Sequence, residues 1–97
     1  MVFEWLLPIV LAGFSLLVIL TVTAIIEVAV EYIQDAETIV IVDPATSHEL
    51  ERIAAQKSSK PHKRFAFDRQ SGKAVLVASN KIADELKDED VIEVDVH

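Results

Sequence analysis

The sequence reads as an α+β protein in two parts, a single N-terminal transmembrane helix followed by a small soluble domain of alternating strands and helices. Three observations predict this. Trp5 to Ile26 is a run of twenty-two residues without a charge. Every charged side chain except Glu4 comes after it. The remaining chain then alternates short β-branched runs with stretches of helical spacing, the pattern of a small α+β unit.

As a helix the uncharged run would span about 33 Å at about 1.5 Å per residue, enough for a hydrocarbon core of about 30 Å. It is longer than the apolar core of a secretory signal and lacks the basic residues that precede one. Residues 1–35 are therefore expected to form the membrane helix and its exit, and residues 36–97 the soluble domain. Trp5 and Tyr32 stand 27 positions apart and suit the two aromatic belts of a bilayer. Ala12, Ser15, Thr23, Glu27 and Glu31 recur near multiples of four and draw a small and polar stripe along one side of such a helix. That side would pack against other membrane subunits instead of lipid. Seven of the nine Lys and Arg lie between Arg52 and Lys73, which favours a cytoplasmic location for the domain.

Within the domain, Thr38–Val42 (TIVIV) has strand composition and stops at Asp43-Pro44. Thr46 with Glu49 resembles a capping box, and Leu50, Ile53 and Ala54 continue at helical spacing to about Lys57. Ser58 to Lys63 has the composition of a loop. Arg64 to Arg69 then alternates, with Phe65 and Phe67 on one side, and Gln70-Ser71-Gly72 turns the chain into a second strand, Lys73–Ala78. Asn80 is placed to cap a short helix bearing Ile82, Ala83 and Leu86. Val91–Val96 alternates again, with Glu93 and Asp95 outward.

The order β-α-β-β-α-β is that of a ferredoxin-like domain, with the first and third strands central and both helices on one face. The uncovered face would then carry Val40, Val42, Ala66, Leu76 and Ala78, an apolar patch suited to a partner, ligand or peptide.

Charge is segregated along the chain. Lys57 to Lys73 holds six bases against Asp68, and Ser79 to His97 holds two bases against seven acids, within a net charge of −7. Lys57, Lys60, Lys63 and Arg64 form a candidate basic contact, and Asp84, Glu85, Asp88, Glu89 and Asp90 a candidate acidic one. The net charge argues against nucleic acid as a partner, since phosphate binding needs a positive surface. The central strands also lack the stacking aromatics of RNA-recognition sheets. No Cys is present, which excludes disulfides, thiolate metal sites and thiol nucleophiles. His48, His62 and His97 lack metal-ligand spacing, the acids lack the Gly and terminal Glu of a calcium loop, and no nucleophile or phosphate-cradling motif occurs.

The chain is thus expected to be a non-enzymatic, single-pass membrane structural or assembly subunit without a cofactor. Such a part would serve a multi-subunit complex, virion or filament, with the lipid bilayer, other membrane subunits and further copies of itself as partners. The alternative is a membrane-anchored regulatory module that binds on its open sheet face.

Overall fold

The computed structural model describes residues 10–96. The elements are β1 (Val10–Leu16), α1 (Val22–Tyr32), β2 (Thr38–Val42), a 3-10 turn (Pro44–Thr46), α2 (His48–Lys57), β3 (His62–Phe67), β4 (Lys73–Ser79), α3 (Asp84–Lys87) and β5 (Val91–Asp95). The five strands make one mixed sheet in the order β1-β4-β3-β2-β5.

The transmembrane helix is not formed. Among the described residues no helix is long and apolar enough to cross a membrane, so the single-pass reading and the sidedness derived from it fall together. From Val10 onward the uncharged run is two elements in succession. Its first described part is β1, which lies parallel to β4 from Val10 opposite Lys73 to Leu16 opposite Ala78. The second begins at Thr21, whose extended backbone and hydroxyl cap α1 by accepting from the Ala24 N–H at 3.0 Å. Hydropathy registers the length of an apolar run and not its breaks. Here β4 supplies hydrogen-bonding partners that a strand can use, and a capping Thr restarts the chain as a helix. The 11 residues of α1 reach only about 16 Å.

The proposed membrane stripe dissolves for the same reason. Ala12 and Ser15 belong to β1, whereas Thr23, Glu27 and Glu31 line the exposed side of α1. That helix buries Ile25 and Ala29 instead. Trp5 lies outside the described residues. Tyr32, its supposed counterpart, lays its ring over Gly13, where an added Cβ would come within 2.5 Å of the ring. A glycine at that position admits the ring, and the strand register shifts between Leu11 and Gly13 to present it.

The ferredoxin-like order is also not formed. There, the strands TIVIV and AVLVA are central and the Phe65 strand is an edge. In the structure β3 lies in the middle of the sheet, antiparallel to β2 (Val40 opposite Phe67) and to β4 (Phe65 opposite Leu76). The additional strand β1 occupies the other side of β4, and β5 pairs antiparallel with β2. Both TIVIV and AVLVA are consequently flanked on two sides, which accounts for their continuous apolar character.

The helices take opposite faces. On what we term the front, Leu50 and Ala54 of α2 pack with Val40, Val42, Phe65, Phe67, Ala74 and Leu76. On the back, Ile25 and Ala29 of α1 pack with Ile39, Ile41, Ala66, Val75, Val77 and Leu86. Hence the expected open face does not exist. Val40, Val42, Ala66, Leu76 and Ala78 are all fully buried, and Ala66 points to the back because it alternates with Phe65 and Phe67. Burying a Leu or Val side chain of this kind contributes about 1.5–3 kcal/mol.

Local signals set the remaining boundaries. Ser47, one residue beyond the expected Thr46, caps α2 by accepting from the Leu50 N–H at 3.4 Å. Thr46 sits in the 3-10 turn and donates to the Asp43 carbonyl at 2.8 Å. The β3–β4 turn is organised by Asp68, which accepts from the Gln70 N–H at 3.2 Å and the Ser71 hydroxyl at 2.7 Å. Gly72 supplies the positive φ of 75°. The expected cap at Asn80 is not used, since α3 begins only after Ala83.

Candidate functional site

The sheet end where β1 and β4 finish, β3 begins and β2 finishes gathers most of the singled-out residues. Leu16, Ala78 and Lys63 lie in one row across β1, β4 and β3. Beyond the row, Leu20 forms a backbone bridge to Ile82, and the Ser79 hydroxyl donates to the Val18 carbonyl at 2.9 Å. These bonds fasten the β1–α1 connection to the β4–α3 connection.

Arg64 is the centre of this end. It was expected in an exposed basic contact, yet it is only 6% exposed. Its Nη1 donates to the Lys63 carbonyl at 2.7 Å, and its Nη2 donates to the Leu86 carbonyl at 3.1 Å. Nη2 also lies 3.6 Å from Oδ2 of Asp43, whose Oδ1 accepts from the Ala45 N–H at 3.0 Å. Arg64 therefore straps the start of β3 to α3 and to the end of β2. Its Nε has no hydrogen-bond partner among the described residues. Sequence alternation gives no warning of this burial, because the partners, Asp43 and the Leu86 carbonyl, are more than twenty positions away.

Beside the strap lies an open cleft of about 350 Å³, lined by Asp43, Glu51, His62, Lys63 and Arg64 together with small apolar side chains. Asp43 and Arg64 are engaged with each other and with backbone. Among the described residues, no three His, Cys, Asp or Glu side chains come together to hold a metal ion. The chain matches no known family, no curated protein and no solved structure. The surface of this end is what it offers to other molecules.

That surface has two halves. On the front, Lys57 ends α2 and is exposed, while Lys60 and Lys63 are half-buried beside it. Lys63 shares the α2 face because it alternates with Arg64 and keeps phase with Phe65. Arg52 is paired with Glu49 at 3.6 Å. On the back, α3 packs through Leu86 into the core beneath α1. Asp84 pairs with Lys87 at 3.0 Å, and Glu85 accepts from the Val22 N–H at 3.2 Å at the start of α1, where a carboxylate is favoured by the helix dipole. Asp88, Glu89 and Asp90 are exposed, and the Asp90 carbonyl accepts from the Asp43 N–H at 2.8 Å.

The sequence reading missed a third feature. Leu16, Val18 and Ile19 are 57%, 86% and 38% exposed at the β1 margin of this end. Hydropathy conceals them, because an apolar run of this length reads as a lipid-spanning segment. The signal that could have found them is Thr21, since a capping residue inside an apolar run implies a chain break just before it.

Proposed function

We propose that this protein is a non-enzymatic assembly subunit, a part that works by attaching to other subunits. The observation that carries the reading is the exposed apolar corner, Leu16, Val18 and Ile19, whose backbone is held by the bonds from the Leu17 and Leu20 N–H groups and by the Ser79 hydroxyl on the Val18 carbonyl, and not by its own side chains. Three exposed aliphatic side chains within four consecutive residues, on a domain of this size, support association over solvation. The charged groups nearest the cleft support the same reading, because Asp43 and Arg64 are committed to joining β2, β3 and α3. A regulatory module reading peptides on an open sheet face has less support, since both faces are covered by helices.

Sedimentation velocity of the full chain at rising concentration tests the proposal. The expected result is a species heavier than the 10.8 kDa chain, reduced to monomer by Val18→Asp with an unchanged circular dichroism spectrum. A wild-type chain that stays monomeric at every concentration would sink it.

A further inference from the structure

We infer that the partner at this end is a second copy of the chain, joined through a two-fold axis that lies in the plane of the sheet and crosses the strands at right angles. The inference rests on the assembly reading and names its partner.

Two facts of placement lead to it. In the sequence, the basic and acidic segments look like opposite poles, an arrangement that would build chains of copies head to tail. The fold instead brings Lys57 to Lys63 and Asp84 to Asp90 to one end of the sheet and separates them front from back, while Arg69 and Lys73 lie toward the other end, where Arg69 pairs with Glu93. The front carries Arg52, Lys57 and Lys63 against Glu49 and Glu51, with Lys60 in the loop that joins α2 to β3, and the back carries Asp84, Glu85 and, in the loop after α3, Asp88, Glu89 and Asp90 against Lys81 and Lys87. The apolar corner stands apart from both, at the β1 margin.

The proposed axis turns the front of one copy over the back of the other, while each strand end stays opposite its own equivalent. Lys60 and Lys63 of each copy would then meet the acids around Asp88 and Glu89 of the other, twice over. Leu16, Val18 and Ile19 would meet themselves. Such an interface is isologous and closes at two copies. Head-to-tail stacking along the strands would satisfy neither charge half, because both lie at the same end. An anionic lipid or nucleic-acid surface is disfavoured by the acidic half and by the net charge of −7. A second copy, by contrast, presents a complement to all three regions.

Sedimentation equilibrium at low and high salt tests this with two charge-reversed chains, Lys60→Glu/Lys63→Glu and Asp88→Lys/Glu89→Lys. The wild type should be a dimer of the 10.8 kDa chain that weakens as salt screens the contact. Each reversed chain should associate at least about tenfold more weakly, because like charges now face each other. Their equimolar mixture should recover the dimer, a result that misfolding of either chain would not give. A wild-type monomer would overturn both this inference and the assembly reading. An open-ended particle, a salt-resistant one, or a mixture that fails to recombine would overturn the two-fold inference and leave the assembly reading standing.

Discussion

The two edges of the sheet solve the same problem by different means. An edge strand exposes unpaired backbone groups and invites pairing with other chains. On β5, the outward residues Glu93 and Asp95 are acidic. Glu93 pairs with Arg69 at 3.3 Å, and Asp95 accepts from the Thr38 hydroxyl at 3.0 Å. The other edge, β1, has no charge at all (VLAGFSL). It is instead distorted by a register shift and covered at Gly13 by the Tyr32 ring. Charge covers β5 over Glu93 and Asp95 and leaves only Val91, 36% exposed, at its start, whereas a bulge and one ring protect only the middle of β1. At the ends of β1, Val10 and Leu16 remain 56% and 57% exposed. The proposed attachment surface accordingly lies at the Leu16 end of β1.

The comparison can be broken first at the anchor of each edge. Leu20, fully buried where the chain leaves β1, should cost about 2–5 kcal/mol as Leu20→Ala. Ile92 of β5 is only partly buried, so Ile92→Ala should cost less. Urea unfolding of the two variants measures the difference, and an equal loss would show that β5 is held as deeply as β1.

A smaller effect is expected at the distorted edge. Gly13→Val places a side chain where the Tyr32 ring lies and should destabilise the fold by about 1–3 kcal/mol. Adding Tyr32→Ala should restore part of that loss if the ring is the obstacle. Thermal melts decide it, since each kcal/mol moves the midpoint by about 4–8 °C in a domain of this size.

The smallest effect belongs to the charged edge. Glu93 and Arg69 are both more than half exposed, so Glu93→Ala should change stability by no more than about 1 kcal/mol. Its informative consequence is association. If charge is what keeps β5 solitary, the doubly neutral Glu93→Ala/Asp95→Ala chain should form larger particles in light scattering at raised concentration. No change in particle size would mean that the shortness of β5 suffices.

Much of the local structure was legible in the residues. The helix over Leu50 to Lys57, the turn at Gln70-Ser71-Gly72 and the alternation of Val91 to Asp95 appear as read, because caps, turns and periodicity act within a few positions. The candidate contacts were partly legible. Lys57, Lys60 and Lys63 are at the surface and so are Asp84 to Glu85 and Asp88 to Asp90, whereas Arg64 is inside. Long polar side chains such as Arg64 are read as exposed unless a distant partner is known, and neither Asp43 nor Leu86 is a sequence neighbour.

The sequence by itself determined the segregation of charge, the lack of cysteine chemistry and the elements whose signals are local. The fold decided that Val10 to Leu16 is a strand, that this strand lies beside β4, that α1 and α2 cover opposite faces, and that Lys57 to Lys63 and Asp84 to Asp90 reach one end of the sheet. The physical reason is common to all four. Burial of an apolar segment lowers free energy in a bilayer or in a protein core alike, so hydropathy does not distinguish them, and the choice follows from whether the fold offers a strand edge and a packing surface to receive it.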